Sequence, residues 1–526
     1  VDCLALVDRH QCAIDRGDLR YRTEGEAMIG RRLWIGIPDP EISPETSRHL
    51  EQIDPGGVIL FGRNVTSRAR LADLVTQLRE LLGSHLRICI DQEGGRVVRI
   101  PEGITIFPGN LSLGAAACND RSRALELARL QGQISGQELH QIGIDVNLAP
   151  CVDLIECSES RGIGSRSFGS DAALALALAT EIGRGHRQQG VHDCWKHYPG
   201  IGPVQLDPHH GLPRLDSQGS ETHLLPFAGA SAAGASMVMT THVIAERLDP
   251  VDPVTTSAAA VSYLREDLGY RGVVITDCLE MGGVAGFDFE QVIRGAAEAG
   301  HDALLVSHTP ARQLEALRVL ECLIEEDQDR QAQHQQSLTR LDSLSRIPVK
   351  DPIATPHGES VALEIARCGT TLLAGPAATL SRSTKGLLVL PQLHTTSPVE
   401  DPLQGVELNL LAEELADGVE TLSIDSEPSR QQIERVLTTA RGVAETILVL
   451  KGFRHSSSAR ALVEAVAAQQ DRLIIVLLED PRDLVAVPAG AAISVITAHG
   501  YRPVHQQAIA DALLGRITPS DHSPMK

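Results

Sequence analysis

A chain of 526 residues exceeds what one hydrophobic core organises, at roughly 100–200 residues per domain, and so implies more than one domain. Its 47 basic and 68 acidic residues leave a formal charge of −21 without any dense Lys/Arg run, which argues against nucleic acid or another polyanion as partner. No stretch approaches the ~18 apolar residues of a membrane span, and the opening segment VDCLALVDRHQCAIDRGD is broken by Asp2, Asp8 and Arg9, so a soluble, unexported chain is expected. The ten cysteines lie singly, and Cys89, Cys151, Cys194 and Cys278 sit inside apolar runs; they read as reduced, buried thiols of a cytoplasmic protein.

Beyond a short N-terminal extension (1–30), eight β-rich apolar runs follow in order: LWIGI (33–37), GVILF (57–61), LRICID (86–91), IDVNLAP (144–150), VHDCWKH (191–197), MVMTTHV (237–243), GVVITD (272–277) and DALLVS (302–307). Segments of helical periodicity separate most of them, at 68–83, 121–142, 171–189, 257–268 and 289–300. Alternation of this kind implies parallel strands joined by right-handed crossovers. Eight such units over 31–349 predict a closed (β/α)8 TIM-type barrel, with an open doubly wound sheet as the competing arrangement. A Gln/Asp/Ser-rich stretch (325–343) then leads into the proline-bearing IPVKDPIATPHG, which sets a domain boundary near residue 350. Residues 350–526 alternate again, with an apolar-periodic segment at 359–374 and β-rich runs at 387–391, 446–450, 473–478 and 492–497. Helical stretches at 427–441 and 457–469 lie between, so a smaller α/β sandwich of mostly parallel strands is predicted. No GxGxxG or P-loop opens a helix there, which leaves a nucleotide cofactor without support.

Active sites of such barrels gather at the C-terminal strand ends, and these ends are unusually polar. The third run closes on Asp91 and continues QEGGRVVR to Arg99; the fifth ends at Lys196 and His197, the sixth passes through His242, and the seventh ends at Asp277. Strand ends are also where polar residues become solvated, but five on one rim favour a site. His192, Asp193, His197, His209 and His210 crowd into nineteen residues, yet without H-E-x-x-H, H-x-H on a strand or a cysteine pair, so no metal centre is expected.

The segments DQEGGRVVR (91–99), GSRSFG (164–169), KHYPGIGPVQLDPHHGLP (196–213) and ITDCLEM (275–281) resemble glycoside hydrolase family 3, specifically its β-N-acetylglucosaminidase branch. The likeness runs from about residue 30 to 345 and continues more weakly through GYRPVHQQAIADALLGRITPS (500–520), as in two-domain members. The resemblance implies that Asp277 attacks the anomeric carbon and forms a covalent glycosyl-enzyme, a task suited to an aspartate with an ordinary pKa of about 3.9. It implies, further, that an Asp207–His209 pair replaces the usual second carboxylic acid. Asp207 would fix the imidazole tautomer while His209 gives and takes the proton, as suits a side chain whose ordinary pKa is about 6.5. Asp91, Arg99, Arg166, Lys196 and His197 would hold the sugar hydroxyls. The implied substrate is a small carbohydrate, β-linked N-acetylglucosamine at a non-reducing end, such as that of cell-wall muropeptides.

Two positions depart from the family's pattern. Pro208 stands between the dyad members where Ser or Thr is usual, and Ile201 where a polar residue is frequent. Proline fixes φ and removes a donor, which predicts a stiffer or differently aimed loop; the adjacent His210 is a competing acid/base candidate. Two other functions fit the same residues: a phosphorylase, because a histidine does not repel phosphate as a carboxylate would, and a non-catalytic sugar-binding protein, which the presence of Asp207, His209 and Asp277 disfavours.

Overall fold

The eight apolar runs form eight parallel strands: β1 (Leu33–Gly36), β2 (Gly57–Leu60), β3 (Arg87–Ile90), β4 (Val146–Asn147), β5 (His192–Tyr198), β6 (Met237–Thr240), β7 (Val273–Cys278) and β8 (Ala303–Val306). Each pairs with the next in sequence, and β8 returns to β1 through Leu33↔Leu304 and Ile35↔Val306, so the sheet is closed and not an open doubly wound one. The computed structural model describes residues 26–156, 162–204, 206–216, 220–349, 354–380, 385–395, 400, 407–490 and 493–525. The opening segment, most of the expected 1–30 extension and the expected boundary at 350 therefore lie outside the described residues.

Strand alternation explains the filling of the barrel. Trp34, Ile59, Cys89, Val146, Cys194, Met237, Ile275 and Leu305, one from each strand, form a single buried cluster. Neighbouring positions such as Leu33, Ile35, Val58, Leu60, Ile88 and Ile90 face the helical layer instead. Because apolar side chains plug the barrel below, polar chemistry is confined to its mouth. Two strands are irregular there: register shifts occur between Lys196 and Tyr198 on β5 and between Ile275 and Cys278 on β7. Such bulges re-aim side chains at a rim. The predicted helices begin where Ser or Asp caps them, at Ser67, Asp120, Asp171, Ser257 and Asp288, each accepting a hydrogen bond from a backbone N–H of the first turn. The polar stretch at 325–343 also contains a helix, Gln328–Asp342, capped by Asp327 and burying His334 and Leu338. None of the described cysteines forms a disulfide, and among the described residues no helix is long and apolar enough to cross a membrane.

The later part of the chain folds around a six-stranded sheet of β9 (Thr371–Ala374), β10 (Gly386–Pro391), β11 (Val419–Ile424), β12 (Glu445–Lys451), β13 (Leu473–Leu478) and β14 (Ile493–Thr497), in spatial order 9-14-13-12-10-11. Five strands are parallel; β9 runs antiparallel to β14, with Thr371 opposite Thr497. β9 and β11 were not among the apolar runs picked out above. The segment 359–374 is not one periodic element: its helix ends at Gly369 and the chain turns into the edge strand. β11 carries exposed Glu420 and Thr421, as an edge strand does. Apolar clusters cover both sheet faces, one containing Leu388, Ile447 and Ile474, the other Leu387, Leu448 and Ile475. This part packs against the barrel: Gly369 approaches so closely that a Cβ there would come within 2.5 Å of the Ser112 carbonyl oxygen. Ser112 Oγ donates to the Ala498 carbonyl at 3.0 Å, and His505 Nε2 to that of Pro108 at 3.1 Å.

Candidate active site

The floor of the barrel mouth is an ionic lattice. Lys196, on the β5 bulge, is buried with its Nζ 2.6 Å from Asp91 Oδ1 and 2.7 Å from Glu93 Oε1. Arg166, from the loop after β4, grips Glu93 with both fork nitrogens: Nε to Oε2 at 2.9 Å and Nη2 to Oε1 at 2.8 Å. Arg99 Nη2 lies 3.7 Å from Asp91 Oδ2. Burial alone would push these carboxyls up, but the adjacent cations outweigh it and hold both Asp91 and Glu93 below the usual carboxylate range. Burial likewise works against the Lys196 ammonium, and the two carboxylates overcome it, raising its pKa. All these groups thus remain charged and fixed, a rigid array of donors and acceptors for hydroxyls.

His197 follows Lys196 across a cis peptide bond. Its Nδ1 lies 2.6 Å from Asp153 Oδ2, and since a carboxylate only accepts, Nδ1 carries the hydrogen. Nε2 then faces Arg166 Nη2 at 3.4 Å. Asp153 Oδ1 accepts the backbone N–H of Ile201 at 2.8 Å. The chain at position 201 is therefore anchored through its main chain, and the isoleucine side chain joins the apolar cluster around Val204 and Leu224.

Asp277 stands at the end of β7, Oδ1 accepting the Cys278 N–H at 2.7 Å. His242, for which the sequence offered no role, lies fully buried behind it. Its Nε2 donates to the Cys278 carbonyl at 2.8 Å, which leaves Nδ1 to accept from Thr255 Oγ1 at 2.7 Å. Burial depresses its pKa, so it remains neutral. It braces the backbone next to Asp277 instead of entering the cavity.

His209 and Asp207 meet across one residue, Nδ1 to Oδ1 at 2.7 Å, with the His209 N–H donating to the same oxygen at 3.0 Å. Burial would raise the Asp207 pKa; the hydrogen bond and charge of His209 outweigh it and bring it down to about 2. Pro208 ties this turn to its neighbour through its carbonyl, which accepts Gly283 N–H at 2.8 Å. Gly282 lies against the His209 backbone, where a Cβ would come within 2.5 Å of its carbonyl oxygen. His210 is exposed, its N–H spent on the Asp207 carbonyl.

One cavity of about 660 Å³ gathers Asp91, Arg99, Arg166, Lys196, His197, His209 and Asp277, while Asp207 stands behind His209. That volume suits a small ligand, and the enclosing set is mostly polar at its floor. Sequence reasoning missed several of its partners. Glu93 lies inside the DQEGG motif and Asp153 two residues past Cys151, so both were within reach of a search for acids near strand ends. Phe61, which closes the second run, and Arg63 and His308, which follow the second and eighth runs, also line the cavity; Glu400 and Arg502 come from the second sheet's part of the chain.

The histidine-rich nineteen residues disperse in space. His192 binds Ser236 and Ser345 at the far end of β5, and Asp193 pairs with Arg187. Cys151, Asp153 and His197 are the described residues that come close enough to hold a cation. Their atoms are engaged with each other: Cys151 Sγ and His197 Nδ1 both point to Asp153 Oδ2, at 3.2 and 2.6 Å. Burial, aided by Asp153, raises the Cys151 thiol well above its ordinary pKa, so it stays protonated and donates to Asp153. The group serves as the support of His197.

The sequence profile of the glycosyl hydrolase family 3 N-terminal domain matches residues 27–344. A β-hexosaminidase of Chromobacterium violaceum is 38% identical over 259 residues, covering 48% of this chain and 72% of that protein. The structure of a family 3 β-N-acetylglucosaminidase from Paenibacillus sp. strain FPU-7 superposes with a TM-score of 0.87 at 30% identity, covering 96% of this chain and 99% of its own. NagZ from Neisseria gonorrhoeae, in complex with N-trifluoroacetyl-D-glucosamine, aligns with a TM-score of 0.57 at 29% identity, over 64% of this chain and 97% of its own.

Proposed function

Since the chain belongs to glycoside hydrolase family 3 and is a glycosidase of the β-hexosaminidase type, we propose that it releases terminal β-linked N-acetylglucosamine with retention of configuration, through a covalent intermediate on Asp277. The observation that carries this reading is the shared cavity of Asp277 and a histidine whose Nδ1 is held by a carboxylate. In the first step Asp277 Oδ2 attacks the anomeric carbon while Oδ1 stays on the Cys278 N–H. His209, protonated and paired with Asp207, gives its Nε2 proton to the glycosidic oxygen, and the aglycone leaves as an alcohol. In the second step neutral His209 takes a proton from water at Nε2, the oxygen attacks the same carbon, and the Asp277 carboxylate is restored. Asp207 stays ionised throughout and stabilises the imidazolium each time it forms.

Asp91, Arg99, Arg166, Lys196 and His197 hold the sugar in this scheme, and the lattice of fixed charges beneath them needs no rearrangement as the oxocarbenium-like transition state develops. The substrates of choice are N-acetylglucosaminides of the kind found in muropeptide fragments. The test is hydrolysis of p-nitrophenyl β-N-acetylglucosaminide against the β-glucoside, with and without phosphate, by wild type, Asp277→Asn and His209→Ala. Preference for the acetamido sugar, free N-acetylglucosamine as product with phosphate present, and loss of roughly 10³-fold or more in kcat for Asp277→Asn are expected. Preference for plain glucoside, or an unaffected His209→Ala, would overturn the reading; formation of the sugar 1-phosphate would make the enzyme a phosphorylase.

A further inference from the structure

The loop that carries Asp91, Glu93 and Arg99 also carries Arg96, whose side chain reaches into the second sheet's part of the chain. There, buried, it meets two carboxylates: Nη2 lies 2.5 Å from Glu400 Oε1 and Nε 3.0 Å from Glu479 Oε1. Lys451 balances the pair, 3.6 Å from Glu400 Oε2 and 3.4 Å from Glu479 Oε2, over the ring of Tyr501. Glu479 makes a second contact with the barrel: Ser165 Oγ donates to its Oε1 at 3.3 Å. Ser165 immediately precedes Arg166. A single carboxylate thus touches both loops that supply the sugar-binding charges, and the loops interlock at that point, since a Cβ on Gly164 would come within 2.8 Å of Arg96 Nη1.

Glu479 itself is held in an unusual state. It follows β13 with φ 75°, the left-handed region that residues bearing a Cβ rarely occupy. Such a conformation persists where surrounding contacts over-determine it, and it concentrates at working sites. Arg502 adds a further tie, its Nε donating to the Gly95 carbonyl at 2.9 Å while its side chain lines the cavity.

We propose that Glu479 is a positioning residue of the glycosidase site: through Arg96 and Ser165 it keeps the Asp91/Glu93/Arg99 loop and the Arg166 loop in register, so that the second part of the chain completes the sugar pocket. The inference rests on the cavity being the sugar site. It does not depend on which sugar is bound.

The test uses the full chain and compares wild type with Glu479→Gln, Ser165→Ala and their combination, on whichever aryl β-glycoside the wild type turns over best. Concentrations are corrected to active sites by burst titration, and melting is followed in parallel. Glu479→Gln is expected to lower kcat/KM about tenfold per active site and Ser165→Ala about threefold, with less than additive losses when combined, because both act on the same brace. The pH limbs of kcat/KM should not move, as the Asp207–His209 pair is untouched. A merely structural role would lower the melting temperature and leave kcat/KM per active site within twofold of wild type, and that result would overturn the proposal. If Glu479→Gln does not fold, Ser165→Ala decides alone: unchanged kcat/KM refutes, a threefold loss with unchanged melting supports. A wild type that prefers plain glucoside would sink the N-acetylglucosaminidase reading without touching this one.

Discussion

Gly282→Ala probes the proton-transfer loop from a position that takes no part in the chemistry. The added Cβ would sit 2.5 Å from the His209 carbonyl oxygen and 3.0 Å from its carbonyl carbon, whereas ordinary contact begins at 3.4 Å, so one of the two loops must retreat by about 0.9 Å. The Asp277 side is the better held, because His242 fixes the Cys278 carbonyl from a fully buried position. The dyad loop, tied here among the described residues by the hydrogen bond from Gly283 to Pro208, should move instead. Displacement of a catalytic group by about 1 Å costs on the order of 10²-fold, or roughly 2.7 kcal/mol of transition-state stabilisation. The assay is kcat/KM for two N-acetylglucosaminides that differ only in leaving group, one alkyl and one 2,4-dinitrophenyl. The alkyl glycoside needs a proton at the departing oxygen and should lose about 10²-fold, while the activated one should lose less than about tenfold. Equal losses on both would mean that Asp277 and not His209 had been displaced, and no loss on either would refute the close docking of the two loops.

Three further outcomes are expected. Lys196→Met leaves Asp91 and Glu93 buried without the cation between them, and should lower unfolding stability by roughly 3–5 kcal/mol in urea titrations, beyond its effect on activity. Asp207→Asn should destabilise in a pH-dependent way. The Asp207 carboxyl is held at about 2 in the folded chain against about 3.9 when unfolded, so its contribution, roughly 2–3 kcal/mol, is complete above about pH 4 and disappears as pH falls through 2. The stability gap between wild type and variant should narrow over that window; a gap that widens there would contradict the assignment. Prolonged treatment with a chelator should leave kcat unchanged, since Cys151, Asp153 and His197 already satisfy one another; loss restored by a divalent cation would revive the metal reading.

The local pattern of the chain determined a great deal. Eight short runs of aliphatic residues, spaced by capped amphipathic segments, carry the barrel in their periodicity, because strand alternation and helix period decide which face each residue buries before any long-range contact forms. The same order placed Asp91, Lys196, His197 and Asp277 at one rim, since every C-terminal strand end of a parallel barrel points the same way. The helix within the polar stretch at 325–343 buries only a narrow stripe and so shows little apolar period, β9 was merged with the preceding helix into one periodic segment, and β11 went unseen because an edge strand buries too little to leave a clear apolar run. What only the tertiary structure decided is pairing. Nothing near Lys196 in sequence indicates that it lies between Asp91 and Glu93, and Arg96 finds Glu400 across 304 positions. The sequence marked Pro208 only as a fixed φ without a donor, whereas the fold shows its carbonyl tying the dyad loop to Gly283. A residue's type and period fix how it is buried, but the partner of a buried charge depends on which strands and which parts of the chain come to lie side by side, and that is settled only when the barrel closes and the second sheet docks on it.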